Sequence, residues 1–268
     1  MSPETANLTS RRRDLPFRVV TVAERPDLVE GLIAADSEAY PAFVLHSAFE
    51  REWPRIYAEF PEYQFALLDP DSGAVIAHGN SVPFRWDGNV ATLPDSATAL
   101  AERARSTRAS GLPPTTLGAL QAVVHVEHQG QGRSRQVLMT MAGIAAERGL
   151  PDLFAPIRPT HKARYPLSDM AAYVQWRRGD GKSQDPWIRV HHQLGAEPVA
   201  IPRAWTTVTG SRAQWEQWTG MSFPQSGSYV VPGGLVPVEL DVEADRGHYC
   251  EPHVWMHYRI AADVAAAA

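Results

Sequence analysis

The residues best suited to chemistry stand together in the stretch VVHVEHQGQGRSRQVLMTMAGIAAERG, residues 123–149. A β-branched run enters a turn carrying Gly130 and Gly132, and a helical pattern leaves it. A helix start carries free backbone N–H groups and about half a unit of positive charge. It therefore attracts a phosphate without any basic side chain. Glycines let an anion approach those amides closely, because no Cβ stands in the way. QGQGRS, residues 129–134, has that form. It lacks the third glycine of a dinucleotide fingerprint, since Arg135 stands there, and it lacks the Gly-Lys-Ser/Thr of a P-loop. On the glycines alone, an anion cradle and a tight turn without a ligand are both open.

Two other groupings carry reactive side chains. HYCEPHVWMH places His248, Cys250, His253 and His257 within ten residues. Its alternation reads as a strand, with His253, Trp255 and His257 on one face. Same-face neighbours on a strand lie about 7 Å apart, too far for two to grip one ion easily, so no metal is expected. Residues 158–182 hold Arg158, Lys162, Arg164, Arg177, Arg178 and Lys182 against Asp169 and Asp180. That basic stretch suits a cofactor ribose phosphate, an acidic substrate or a tRNA acceptor end. Equally it suits a plain solvated helix.

These residues need a scaffold, and composition bounds it. The chain has 268 residues, 44% hydrophobic and 21% charged, within the usual range for a globular protein with a sizeable core. Its net charge of −5 disfavours nucleic-acid binding by bulk charge. Cys250 is the only cysteine, which rules out an intrachain disulfide and a thiolate-rich metal site. No apolar run approaches the roughly 20 residues of a membrane span, and Arg11, Arg12 and Arg13 are followed by no apolar signal region. A cytoplasmic protein without membrane attachment is the expectation.

Along the chain, residues 1–15 are polar and arginine-rich and are expected to be disordered. FRVVTV, YQFALLD, AVIAHGNSVPF, TTLGALQAVVHV, LFAPI, AEPVAI and AWTTVT read as strands. Helical patterns start at Asp27, across residues 48–60 interrupted or kinked by Pro54, and across 95–110 with Asp95 or Ser96 as cap and Gly111 as stop. One helix is predicted inside an insertion at 158–183, capped by Ser168. Another, DPWIRVHHQLG, has Asp185 as cap, Pro186 at its first position and Gly195 past its end. SRAQWEQW is a short helix. Residues 229–260 are strand-like, and ADVAAAA is a low-complexity tail. Strands and helices mix without strict alternation, which predicts an α+β or mixed α/β fold. Trp53, Tyr57, Phe60 and Tyr63 suit core packing, with a substrate pocket as the other option.

VHVEHQGQGRSRQVL resembles the cofactor motif of the GNAT acyltransferases. That motif runs Gln/Arg-x-x-Gly-x-Gly/Ala after a lead like V-x-P-E-Y. Gln129 takes its first position and Gly132 its central glycine, while Ser134 stands where Gly or Ala is usual. WIRVHHQLGAEPV resembles the family's later LYEKLGF helix and strand. The likeness spans residues 16–210, with 211–262 as a C-terminal β-rich extension packed on that domain and 263–268 as a tail.

The resemblance implies a strongly twisted, mostly antiparallel central sheet flanked by helices, whose central strands splay apart. It implies acetyl-CoA or another acyl-CoA as donor. The diphosphate would rest on the amides of Gln131, Gly132, Arg133, Ser134 and Arg135 beside Gln129. The pantetheine arm would pair with the backbone of Val124 and Val126 as an added strand does. The activity implied is acetyl transfer to the amine of a small molecule, with a homodimer compatible. A CoA-binding module, or an acyltransferase drawing on acyl carrier protein or aminoacyl-tRNA, is the alternative.

The family's thiolate-protonating tyrosine falls on His191 here, four residues before Gly195. Histidine is able to act as an acid, with a reference pKa near 6.5. His191 as an ordinary helix residue stays open beside that role. His125 and Glu127 are the positional candidates for a base, each acting through a water, and each also fits a plain structural place.

Overall fold

The computed structural model describes residues 17–260. The expectations for the N-terminal tail and for ADVAAAA lie outside those residues.

Seven strands form the main sheet. They are β1 (Arg18–Thr21), β2 (Gln64–Leu68), β3 (Val75–Phe84), β4 (Thr116–Val124), β5 (Asp152–Ile157), β6 (Glu197–Ala200) and β11 (Val254–Arg259). Their spatial order is β1-β2-β3-β4-β5-β11-β6. Every pairing is antiparallel except β4 with β5. Strand β3 is buried along almost its whole length, because helices cover both faces of the sheet. Those helices are α1 (Val29–Ala39), α2 (Trp53–Glu59), α3 (Ala97–Ser110), α4 (Arg133–Glu147), α5 (Met170–Val174) and α6 (Pro186–Gln193). This is the mixed, mostly antiparallel architecture expected of a GNAT fold.

The helix boundaries follow from local chemistry. Helix α3 starts where the Ser96 hydroxyl accepts from the Ala99 N–H at 3.1 Å, and it stops at Gly111 in the left-handed region. Helix α6 starts at Asp185, whose Oδ1 accepts from the Trp187 and Ile188 amides at 2.8 and 3.2 Å. The helical stretch at 48–60 is interrupted near Pro54: Ala48–Glu52 is a 3-10 helix, and Pro54 sits in the first turn of α2, where its missing N–H costs nothing. One expected detail changes. The insertion's helix is only five residues long and is capped by Asp169 rather than Ser168.

A second sheet has the order β7-β10-β9-β8, formed by β7 (Thr206–Gly210), β8 (Gly227–Tyr229), β9 (Val238–Asp241) and β10 (Arg246–Glu251). Helix α7 (Arg212–Thr219) packs on it with Trp215 fully buried. The Trp215 ring lies so close to Gly247 that any Cβ there would collide with it. Trp215 joins Phe43, Val208, Phe223, Val238, Leu240 and Tyr249 in a core of their own. Truncating a ring buried like this typically costs about 3–5 kcal/mol.

The pairing does not follow the expected boundary at residue 210. β7, before it, belongs to the second sheet, while β11, after it, lies in the main sheet between β5 and β6. Trp53, Tyr57, Phe60 and Tyr63 are core residues of the main sheet and do not line the cavity between β4 and β5.

Candidate active site

The cavity originates where β4 and β5 part. Their parallel pairing covers only Thr116–Gly118 against Asp152–Phe154, yet β4 runs on to Val124 and β5 to Ile157. On its other edge β4 carries a register shift against β3: Asn80 pairs with Gln121 and Ser81 with Ala119, so Leu120 is the extra residue. Such a bulge bends its strand and re-aims the residues beyond it. The result is a cavity of about 750 Å³ with residues 119–124 on one wall and residues 155–158 on the other. A cavity of this size suits a small molecule or cofactor arm.

Helix α4 opens onto the β4 wall. Its cap residue Gly132 has φ 74°, as does Gly130, and no side-chain oxygen caps the first turn. A Cβ at either glycine would meet nothing within 4 Å, so the space above the turn is open. Gln129, Gly130, Gly132, Arg133 and Ser134 all face the cavity. The donor set is therefore a helix mouth with uncapped amides, open approach and one guanidinium, which fits the diphosphate of an acyl-CoA.

The other expected cofactor contacts are distributed differently. Gln131 is exposed and accepts from Arg133 Nη2 at 3.2 Å, outside the cavity lining. The Arg135 N–H turns back to the Gly132 carbonyl at 3.2 Å, so that amide is engaged within the turn. Val124 lines the cavity, and its carbonyl accepts from Gln129 Nε2 at 3.1 Å. Val126 does not extend the strand. It begins a 3-10 turn at Val126–His128 and is exposed, so it offers no extended edge for pairing.

Helix α6 roofs the opening. Pro186, Trp187, Val190 and His191 face the cavity, a spacing that marks one side of a helix. His191 is fully buried. Its Nδ1 lies 2.6 Å from the hydroxyl of Tyr258 on β11, and its Nε2 has no hydrogen-bond partner. Burial holds the imidazole pKa down at about 3, with His192 adding to the effect, so the ring is neutral at pH 7. Burial also holds the Tyr258 hydroxyl well above the usual tyrosine range, so it keeps its proton. Both groups are neutral, so the contact is a hydrogen bond between an uncharged hydroxyl and an uncharged ring. His191 thus lines the cavity as a neutral imidazole rather than an imidazolium.

His125 and Glu127 stay away from this space. His125 is half-buried, its N–H bonds the Ile76 carbonyl at 3.0 Å, and its ring meets His78 edge-on at 6.0 Å. Glu127 is exposed. Neither lines the cavity. His253, from the run weighed as a metal site, and Arg158, from the basic stretch at 158–182, do line it. His253 Nε2 lies 2.9 Å from the buried Glu251, which also receives the Arg158 guanidinium at 2.9 Å. Burial alone would raise the Glu251 pKa, but Arg158 and His253 override it and hold it at about 2.

The remaining histidines of the metal-like run have partners of their own. His257 Nε2 meets Asp152 at 2.6 Å and its ring stacks on Phe154 at 4.3 Å. Among the described residues no three His, Cys, Asp or Glu side chains converge as metal ligands. No helix among them is long and apolar enough to cross a membrane.

No family model matches the sequence. The chain is 30% identical over 275 residues to the arginine N-acetyltransferase avaD of Aspergillus versicolor, covering 91% of this chain and 94% of that protein. Among solved structures it is similar to the loading GNATL domain of CurA from Lyngbya majuscula, with a TM-score of 0.61, 18% identity, and 91% of this chain and 98% of that one covered. It is also similar to the GphF GNAT-like decarboxylase in complex with isobutyryl-CoA, with a TM-score of 0.59, 17% identity, and 91% and 100% covered. The splayed strands, the uncapped helix mouth and the curated relative agree: this chain belongs to the GNAT superfamily and is an acyl-CoA-dependent N-acyltransferase.

Proposed function

We propose that this enzyme moves the acetyl group of acetyl-CoA onto the nitrogen of a small amino-acid-like acceptor, with arginine the leading candidate. The observation that carries this reading is one continuous cavity, shared by the α4 mouth, the parted β4 and β5 strands, and His191. The arginine N-acetyltransferase of A. versicolor supports the acceptor class. The donor pool lies inside cells, so the proposed reaction is a cytoplasmic one.

The uncapped amides of Arg133 and Ser134, with the Arg133 side chain, hold the diphosphate. The β4 wall from Ala119 to Val124 lies beside the pantetheine arm. The unprotonated acceptor nitrogen attacks the thioester carbonyl, forming the N–C bond, and the C–S bond then breaks. The nitrogen sheds one proton, and the sulfur leaves as a thiol after gaining one. His191 Nε2–H donates a hydrogen bond to the departing sulfur and so lowers the cost of its negative charge. Tyr258 is the positioning residue that fixes the tautomer. His125 and Glu127, outside the cavity lining, make no contact with the reacting atoms in this scheme.

The test is thiol release from acetyl-CoA across a panel of amines that includes L-arginine, with the product mass confirming an added acetyl group. Acetylation of arginine or a related amino acid is expected. Tight acetyl-CoA binding without transfer to any amine would overturn the proposal.

A further inference from the structure

We infer that Arg158 is a subsite for a carboxylate on the acceptor, so that the enzyme selects amino acids bearing a free carboxyl group. The inference rests on the amine-acetylating reading above and deepens it.

Arg158 follows directly on β5 and is part-exposed, with its side chain 21% accessible. Its Nε and Nη2 take the two oxygens of Glu251 at 2.9 and 3.0 Å, and Nη2 also donates to the Gly233 carbonyl. A guanidinium has five N–H donors. Three are engaged in these bonds, and the two on Nη1 are not. The held end is fixed from behind: Glu251 is fully buried and also receives the Tyr249 hydroxyl. An arginine clamped in this way offers its remaining donors without losing side-chain freedom on binding.

Charge favours an anion. Lys162 is fully buried, and its Nζ donates to the Tyr165 and Leu235 carbonyls at 2.9 and 2.7 Å rather than to a carboxylate. Burial holds the Lys162 pKa below the ordinary lysine range against the pull of Glu251 and Asp169, so the cation that faces the cavity on this wall is Arg158. Among the described residues, no Asp or Glu lines the cavity.

Position assigns the anion to the acceptor. The donor's diphosphate has its place at the α4 mouth on the β4 wall. Arg158 stands on the β5 wall and is tied through Gly233 to the α1–α2 connection. A Cβ on Gly233 would stand 2.7 Å from Pro41, and Tyr40 beside it lines the cavity.

The experiment is calorimetry on the full chain saturated with CoA. L-arginine and L-argininamide are titrated in parallel, then other L-amino acids against their amides. The free acid of at least one pair is expected to bind ten-fold or more tightly than its amide. Arg158→Met is expected to bring that ratio within two-fold, and Arg158→Lys to restore part of it. The wild-type comparison needs no variant, so a misfolded Arg158→Met leaves the test intact. Acid and amide binding alike in the wild type would overturn the inference. So would a wild-type preference for CoA over dephospho-CoA that Arg158→Met abolishes, since Arg158 would then hold the donor's 3′-phosphate. Acid-selective binding with no acetyl transfer would remove the proposed reaction and leave the carboxylate subsite standing.

Discussion

The hydroxyl of Tyr258 on β11 lies 2.6 Å from Nδ1 of His191 on α6, and both side chains are buried. This contact joins the roof of the cavity to a strand inserted beside β5. In the proposed scheme it also decides which nitrogen of the imidazole carries hydrogen. Where the resemblance implied an ionisable acid, the cavity is lined by a neutral imidazole.

That assignment makes a kinetic prediction. His191→Phe should lower turnover by about 10²-fold while the acetyl-CoA Kd stays within two-fold. Tyr258→Phe should lower turnover by about ten-fold, because the tautomer is then free to change. With the imidazole pKa near 3, His191 should contribute no ionisation to the wild-type kcat profile between pH 5 and 9. Steady-state kinetics across that range checks the two turnovers and the pH profile, and calorimetry with acetyl-CoA checks the Kd. Full activity in His191→Phe returns the residue to a packing role.

Burial of the same residue predicts how stability responds to acid. The His191 pKa falls from 6.5 to about 3 on folding, so between those values the unfolded chain binds the extra proton. The stability concerned is present above pH 6.5 and is lost as pH falls through 3. Glu251 acts in the same direction over a lower window, from its ordinary 4.5 down to about 2. Urea titrations at pH 7, 5.5 and 4 should show a steady fall in unfolding free energy. His191→Phe should flatten the part between pH 6.5 and 4.5. An unchanged slope in that variant would show that the imidazole is not buried in neutral form.

Asp185 should prove to be the anchor of the roof. Its Oδ1 caps α6, while its Oδ2 accepts from the His161 amide and the Tyr173 hydroxyl, each at 2.8 Å. Asp185→Ala removes the cap and leaves buried donors unpaired, for a loss of roughly 2–4 kcal/mol. Asp185→Asn keeps an acceptor for the cap and should lose less. Denaturant unfolding of both variants provides the check, and equal losses would contradict the capping account.

What was legible in the sequence is what local chemistry determines. Ser96 and Gly111 bracket α3, Asp185 and Pro186 open α6, and the two glycines mark the mouth of α4, all within a few residues of the element they limit. Ser168 and Asp169 are adjacent cap-competent residues, and only the bond to Ala172 tells them apart. The partners of the site residues were not legible, because they are distant in sequence. Tyr258 lies 67 residues from His191, and Glu251 lies 93 from Arg158. Both contacts depend on β11 entering the main sheet and β10 joining the second one, pairings that no local pattern of alternation specifies. The basic segment at 158–182 likewise reads as a solvated face, until Lys162 is found fully buried against two carbonyls.

The central claim is that the donor's diphosphate rests on the mouth of α4, and the affinity of Gly132→Val for acetyl-CoA tests it most directly. Gly132 sits at φ 74°, where a β-branched residue is strained, and its side chain would project into the space the phosphates need. Calorimetry should show a Kd raised more than ten-fold, a loss of about 1.4 kcal/mol or more, with the thermal unfolding of the variant recorded alongside. A folded Gly132→Val protein that binds acetyl-CoA as tightly as the wild type would contradict the account.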